Sequence, residues 1–376
     1  MNDEKPAVVI DNGSGSCRVG LSWDQTPSHC FPAVVGKPKK QGIMIGMDSK
    51  DVYVGDEALA LRRLLNIQSP FENGIIKNWE DMERIWQYAI NELRVNPEDH
   101  PVLLTEPMFF QESNREKMIQ VFFETFKVPK FQVHNEAALA LYSSGRITGF
   151  VVSCGESCTY TIPIYEGKVL SYAALRICLG GNACTEYFVR ILTELGLSFE
   201  SSTELEIARD IKEKLCYVAL DYEEEMKIYK ESKAKNKHYE LPDGNIIVIE
   251  DQRFRCPELL FKPKLIGFEV GGIDELTHKQ ILKCQEEIRD NLYKNIVLSG
   301  GTSLFPGLEE RLRRELYFLV LSKQKIKIVA YRERFQEWIG GQILSSLSYS
   351  ENMWITRREY DENGPTIVHR KCQTVT

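Results

Sequence analysis

The chain contains no CxxC pair, no long apolar run and no excess of basic residues. Its ten cysteines are scattered and have no histidines at matching spacing, which fits reduced thiols better than a disulfide scaffold or a zinc site. No run approaches the roughly 20 apolar residues of a membrane helix, so the sequence predicts no membrane insertion. The opening Met1-Asn2-Asp3-Glu4-Lys5 is polar and has no apolar core, which predicts no signal peptide. A net charge of −7 argues against nucleic acid as a partner, since a general binder carries a basic face. What is present is ordinary globular composition, with 27% charged and 43% hydrophobic residues in 376, enough for two domains with full cores. These features predict a soluble, intracellular protein.

β-Branched runs beside turns predict strands at 8–10, 102–104, 151–152, 161–165 and 296–298. Helical patterns fall between them at 79–93, 112–126, 135–144, 183–195, 204–220, 274–294 and 307–321. Such alternation reads as an α/β fold with parallel or mixed sheets. Similar hairpin openings at 8–21 and 150–165 suggest a duplication with two related lobes. The lysine-rich stretch from Lys227 to Lys237 lacks apolar period and reads as a solvated loop. Between Lys37 and Asp51, Gly42 and Gly46 flank Ile43, Met44, Ile45 and Met47; this reads as a partner-binding finger in preference to a core strand.

Three glycine-bearing turns carry the candidate chemistry. The first is Asp11-Asn12-Gly13-Ser14-Gly15-Ser16, followed by Arg18; the second is Ser153-Cys154-Gly155-Glu156-Ser157. Backbone N–H groups in paired hairpins of this kind can grip a polyphosphate, with a carboxylate at the first turn holding its metal. The third, Gly300-Gly301-Thr302, follows a strand and leads into a helix, while Phe305 offers a ring to a base. Lys212 and Glu213 could read a ribose and base, although a charged pair of this kind by itself is most often a solvated helix face.

The chain resembles the actin family from about Pro6 to Cys372. The resemblance rests on Asp11-Asn12-Gly13-Ser14-Gly15, the run Gln41 to Met47, Tyr53-Val54-Gly55-Asp56-Glu57-Ala58, Pro101 to Glu106, Asp210 to Asp221, Tyr239 to Gly244, Gly300-Gly301-Thr302, Trp338-Ile339-Gly340-Gly341 and Ile367 to Cys372. It implies the actin-like ATPase fold shared with Hsp70 chaperones and sugar kinases, with two lobes around a nucleotide cleft. The implied small lobe is 1–143 plus 336–376, with a finger-loop subdomain at 33–69. The implied large lobe is 144–335, with an inserted subdomain at 180–268.

By that resemblance ATP or ADP, with Mg or Ca, would lie against Ser14, Gly15, Ser16, Arg18, Gly155, Glu156, Ser157, Gly181, Lys212, Glu213, Gly300, Gly301, Thr302 and Phe305. The metal positions correspond to Asp11, Glu136 and Ser153. Several positions depart from the family pattern. Ser153 replaces an aspartate of the hydrated metal, Glu136 a water-positioning glutamine and Tyr160 a proton-relaying histidine, so both catalytic positions, Glu136 and Tyr160, are degenerate. Arg18 replaces a lysine, Asn73 a histidine that is commonly methylated, and Asn182-Ala183 an Arg-Asp pair. Phe335, beside a one-residue deletion, aligns with a base-facing lysine.

The chain keeps the finger residues Gln41, Ile43, Met44 and Met47, and the apolar plug Leu265, Ile266 and Phe268. It also keeps the docking-cleft residues Tyr142, Leu344 and Leu347. The acidic surface that motors recognise is reduced to Asp3 and Glu4, with Asp24-Gln25 in place of an acidic pair. The expectation is a divergent actin or actin-related structural protein of the cytoplasm and cytoskeleton. It would bind nucleotide with weakened hydrolysis and associate with actin, actin-like subunits or actin-binding proteins. An active ATP-hydrolysing filament and a fixed subunit of a larger complex are the alternatives.

Overall fold

A computed structural model describes residues 5–39, 50–109, 111–232, 236–320, 324–331, 334–347 and 352–372. The chain divides into two compact units. The first comprises 1–151, 164–172 and 335–376, and the second 152–163 and 173–334.

In the first unit, Val8–Asn12 turns back antiparallel onto Ser16–Leu21, which places Asp11 opposite Arg18. On its other edge Val8–Asn12 runs parallel to Val102–Glu106, which in turn pairs in parallel with Lys130–Asn135. His29–Pro32 and Ile355–Thr356 complete a six-stranded sheet. Val8, Ile10, Val102 and Leu104 alternate onto one face, where helix Trp79–Leu93 packs. Asn78 caps that helix by accepting the Asp81 N–H at 3.1 Å. Trp86, Phe122 and Phe131 fill the layer, with the two phenylalanine rings stacked at 4.9 Å.

On the opposite face, Gln336–Ser345 lies against Glu136–Ser143. A Cβ added at Gly340 would strike the Leu139 carbonyl, so only glycine permits this approach. Trp338 is fully buried there and donates its indole N–H to the Val9 carbonyl at 3.0 Å.

In the second sheet the strand order is Thr159–Tyr165, Gly149–Cys154, Ile296–Ser299 and Ile328–Val329, with Leu175–Ile177 antiparallel to Thr159–Tyr165. Helices of the second unit include Gly181–Leu192, Ser202–Leu215, Ile273–Lys283, Glu286–Lys294 and Leu308–Leu319. A reciprocal capping box, Ser201 with Glu204, opens the second of these.

Three sequence expectations change. The long helix at 274–294 is two helices broken at Cys284 and Gln285. The helix expected at 204–220 ends at Leu215, where Cys216 turns extended. The stretch read as a loop from Lys227 to Lys237 instead begins within helix Tyr222–Glu231, capped by Asp221, and ends on strand Lys237–Glu240.

Candidate functional site

The first hairpin carries a buried ion pair. Asp11 is 2% exposed, and one of its oxygens takes the Arg18 guanidinium while the other accepts the Thr105 hydroxyl at 3.0 Å. Thr105 in turn accepts the Asn12 N–H at 2.8 Å, fixing the start of the turn. Removing two charges from water is costly, and mutual attraction with extra hydrogen bonds must offset that cost. Two donors in this hairpin, Arg18 Nε and Asn12 Nδ2, are buried without a hydrogen-bond acceptor. Orphan donors beside a Gly-Ser turn suit an anion.

Asn135 ends its strand and caps the next helix, accepting N–H groups from Ala137 and Ala138 at 3.1 and 3.2 Å. This places Glu136 at the helix start. Its half-buried position, and then the neighbouring carboxylates Glu337 and Asp11, push the Glu136 pKa up to about 8. Glu136 therefore carries its proton at neutral pH. Of the two acidic positions, Asp11 is paired with Arg18 and Glu136 has its carboxyl pushed up by burial. Among the described residues no group of three or more His, Cys, Asp or Glu is arranged to hold a metal ion.

Glu337, only 6% exposed, acts electrostatically on Glu136 and is absent from the residues that the sequence singles out. The available signal was an acid directly before the apolar helix stretch beginning Trp338-Ile339. His134 is buried against Tyr142, and desolvation lowers its pKa to about 4, so it is neutral.

In the second unit three turns lock together. Gly181 N–H donates to the Gly155 carbonyl at 3.0 Å, and Asn182 N–H to the Glu156 carbonyl at 2.9 Å. The Thr302 hydroxyl donates to the same Gly155 carbonyl at 2.8 Å. Gly300 adopts φ of 82°, and a Cβ there would collide with the Cys154 carbonyl. Phe305 is buried beyond that turn, and Ser153 and Tyr160 are each 5% exposed.

Lys212 is 3% exposed and donates to the Gly181 carbonyl and Thr185 hydroxyl at 2.9 and 2.8 Å. Its ammonium holds the helix start, an inward role its sequence neighbourhood did not reveal. Glu213 instead pairs with Arg334, whose side chain flanks Gly301. Arg334 stands one residue before Phe335.

Of the surface residues, Leu265 and Phe268 are exposed on either side of Gly267, with Ile266 partly covered. Leu347 is exposed, whereas Leu344 is buried with Trp338 and Trp354. Tyr142 donates to the Gly167 carbonyl at 3.3 Å. Gln41, Ile43, Met44 and Met47 lie outside the described residues, as do Asp3 and Glu4.

No helix among the described residues is long and apolar enough to cross a membrane. The family model described as Actin matches residues 2–373. The mixed α/β architecture agrees with that match, and the chain belongs to the actin family.

Proposed function

We propose that the chain is a nucleotide-binding structural protein with weakened hydrolysis. The carrying observation is the locked assembly of Gly155–Ser157, Gly181 and Gly300–Thr302 with the Arg334–Glu213 pair beside it. Gly155, Ser157 and Gly300 offer a cradle for phosphates, while Gly301, Arg334 and Glu213 suit an adenine and ribose. Taken by itself, the first hairpin, with Ser14, Gly15 and Ser16 and the orphan donors of Arg18 and Asn12, also suits an anion. A divalent metal would have to be held mainly by phosphate oxygens and water. Equilibrium titration with a fluorescent ATP analogue tests binding, and no saturable binding would end the proposal.

Weak turnover follows from Glu136 and Tyr160 standing where the family has an amide and an imidazole. Loss of a positioned general base costs on the order of 10² to 10⁴ in rate. Phosphate release measured beside conventional actin tests this, and an equal rate would favour the active-filament reading. Association with actin-like subunits is supported by the exposed Leu265 and Phe268. Copelleting with actin and electron microscopy examine it; absence of pelleting, capping or altered growth would count against it.

A further inference from the structure

We propose that Cys158 and Cys178 are a reversible redox pair, closed to a disulfide by a hydroperoxide. The two sulfurs are 3.9 Å apart, and both cysteines are thiols in the structure. The pair continues the antiparallel register in which Thr159 faces Ile177 and Tyr160 faces Arg176. Cross-strand positions directly opposite each other match the Cα separation of about 4.4–6.8 Å that a disulfide needs. Both cysteines stand one position outside the paired strands, and closing the 3.9 Å gap to a bond of about 2.05 Å draws the two strand ends together.

The chemistry around the pair is asymmetric. Cys178 is exposed, whereas Cys158 is buried. Arg176 places its Nε 3.4 Å from Cys158 Sγ and its terminal nitrogen 3.9 Å from Cys178 Sγ. A guanidinium touching both sulfurs compensates negative charge on whichever one attacks. Burial pushes Cys158 up to about 11, so it waits as a thiol. The other buried cysteines, among them Cys154, Cys184 and Cys256, are shielded from solvent.

The exposed Cys178 sulfur attacks a peroxide oxygen. An S–O bond forms, the O–O bond breaks, and water or an alcohol leaves. Cys158 sulfur then attacks the sulfenic sulfur; the S–S bond forms, the S–O bond breaks, and hydroxide departs as water with the Cys158 proton. Two thiols are oxidised and one peroxide is reduced. The new bond closes a loop spanning 20 positions and ties the turn at Gly155–Ser157 to the segment entering Gly180 and Gly181. A thiol reductant reverses it by exchange.

The test treats the full chain with hydrogen peroxide, alkylates remaining thiols, and maps non-reduced peptides by mass spectrometry. The expected product is a Cys158–Cys178 link that dithiothreitol removes. In C158V, Cys178 should instead stop at the sulfenic acid and be trapped by dimedone, an adduct at least tenfold weaker in the unaltered chain. C178S should abolish the link. A link formed by other cysteines, or equal dimedone trapping at Cys178 with and without Cys158, would overturn the proposal.

Discussion

The Arg334 guanidinium meets the Glu213 carboxylate at 2.6 Å, across 121 positions of chain. Both side chains are about two-fifths exposed, at 42% and 37%, so the pair contributes little to folding. Its placement beside Gly301 gives it a ligand-facing role in the reading above.

Arg334→Ala should therefore change stability by less than about 1 kcal/mol. Affinity for an ATP analogue should fall about tenfold, equivalent to about 1.4 kcal/mol. Thermal unfolding and fluorescence titration read the two effects separately. A large loss of stability with unchanged affinity would place the pair in the fold alone.

Gly300 and Gly301 should respond differently to a methyl group. Gly300→Ala places a Cβ on the Cys154 carbonyl in a left-handed conformation, and should cost about 1–3 kcal/mol as well as nucleotide binding. At Gly301 the nearest neighbour of a Cβ is the Arg334 side chain at 3.7 Å, an ordinary contact. Gly301→Ala should leave the unfolding midpoint nearly unchanged; an equal loss in both variants contradicts the geometry.

Glu136 predicts a pH-dependent affinity. Below about 8 its carboxyl is neutral, and above that value it ionises close to Asp11 and Glu337. The added negative charge should weaken ATP binding as pH rises through 8. In Glu136→Gln that step should vanish. An ATP titration series from neutral to alkaline pH checks this, and an identical step in the variant would assign it elsewhere.

Asp274 offers a test in stability. Burial raises it from 3.8 to about 6, and one of its oxygens has no hydrogen-bond partner. A raised carboxyl favours the folded state only while protonated. Its contribution is present below 3.8 and is lost as pH rises through 6. Asp274→Asn should therefore stabilise the chain by about 1–2 kcal/mol at neutral pH, with no gain near pH 4. Denaturant unfolding at the two pH values measures it.

How far the sequence could be read depended on whether the cause was local. Helix Trp79–Leu93 has a capping asparagine and an amphipathic period, so its bounds were legible. The three glycine turns were legible for the same reason. The break at Cys284 and Gln285 carries neither glycine nor proline and went unseen. Strand Lys130–Asn135 owes its place to parallel pairing with Val102–Glu106, a partner distant in sequence. Glu337 and Lys212 were harder still. The burial of one and the inward turn of the other follow from elements far along the chain.

The glycine at 340 has an electrostatic consequence. Glu136 and Glu337 each stand one turn before the point where Leu139 and Gly340 bring their helices together. The close helix approach that Gly340 permits lies one turn from both acids, and burial followed by repulsion from the Glu337 charge raises the Glu136 carboxyl. Widening the gap by a single methyl group would relax that repulsion and let Glu136 ionise at lower pH. A residue with no side chain would then bear on the ionisation of an acid one turn along the facing helix, beside the larger effect of that acid's own burial.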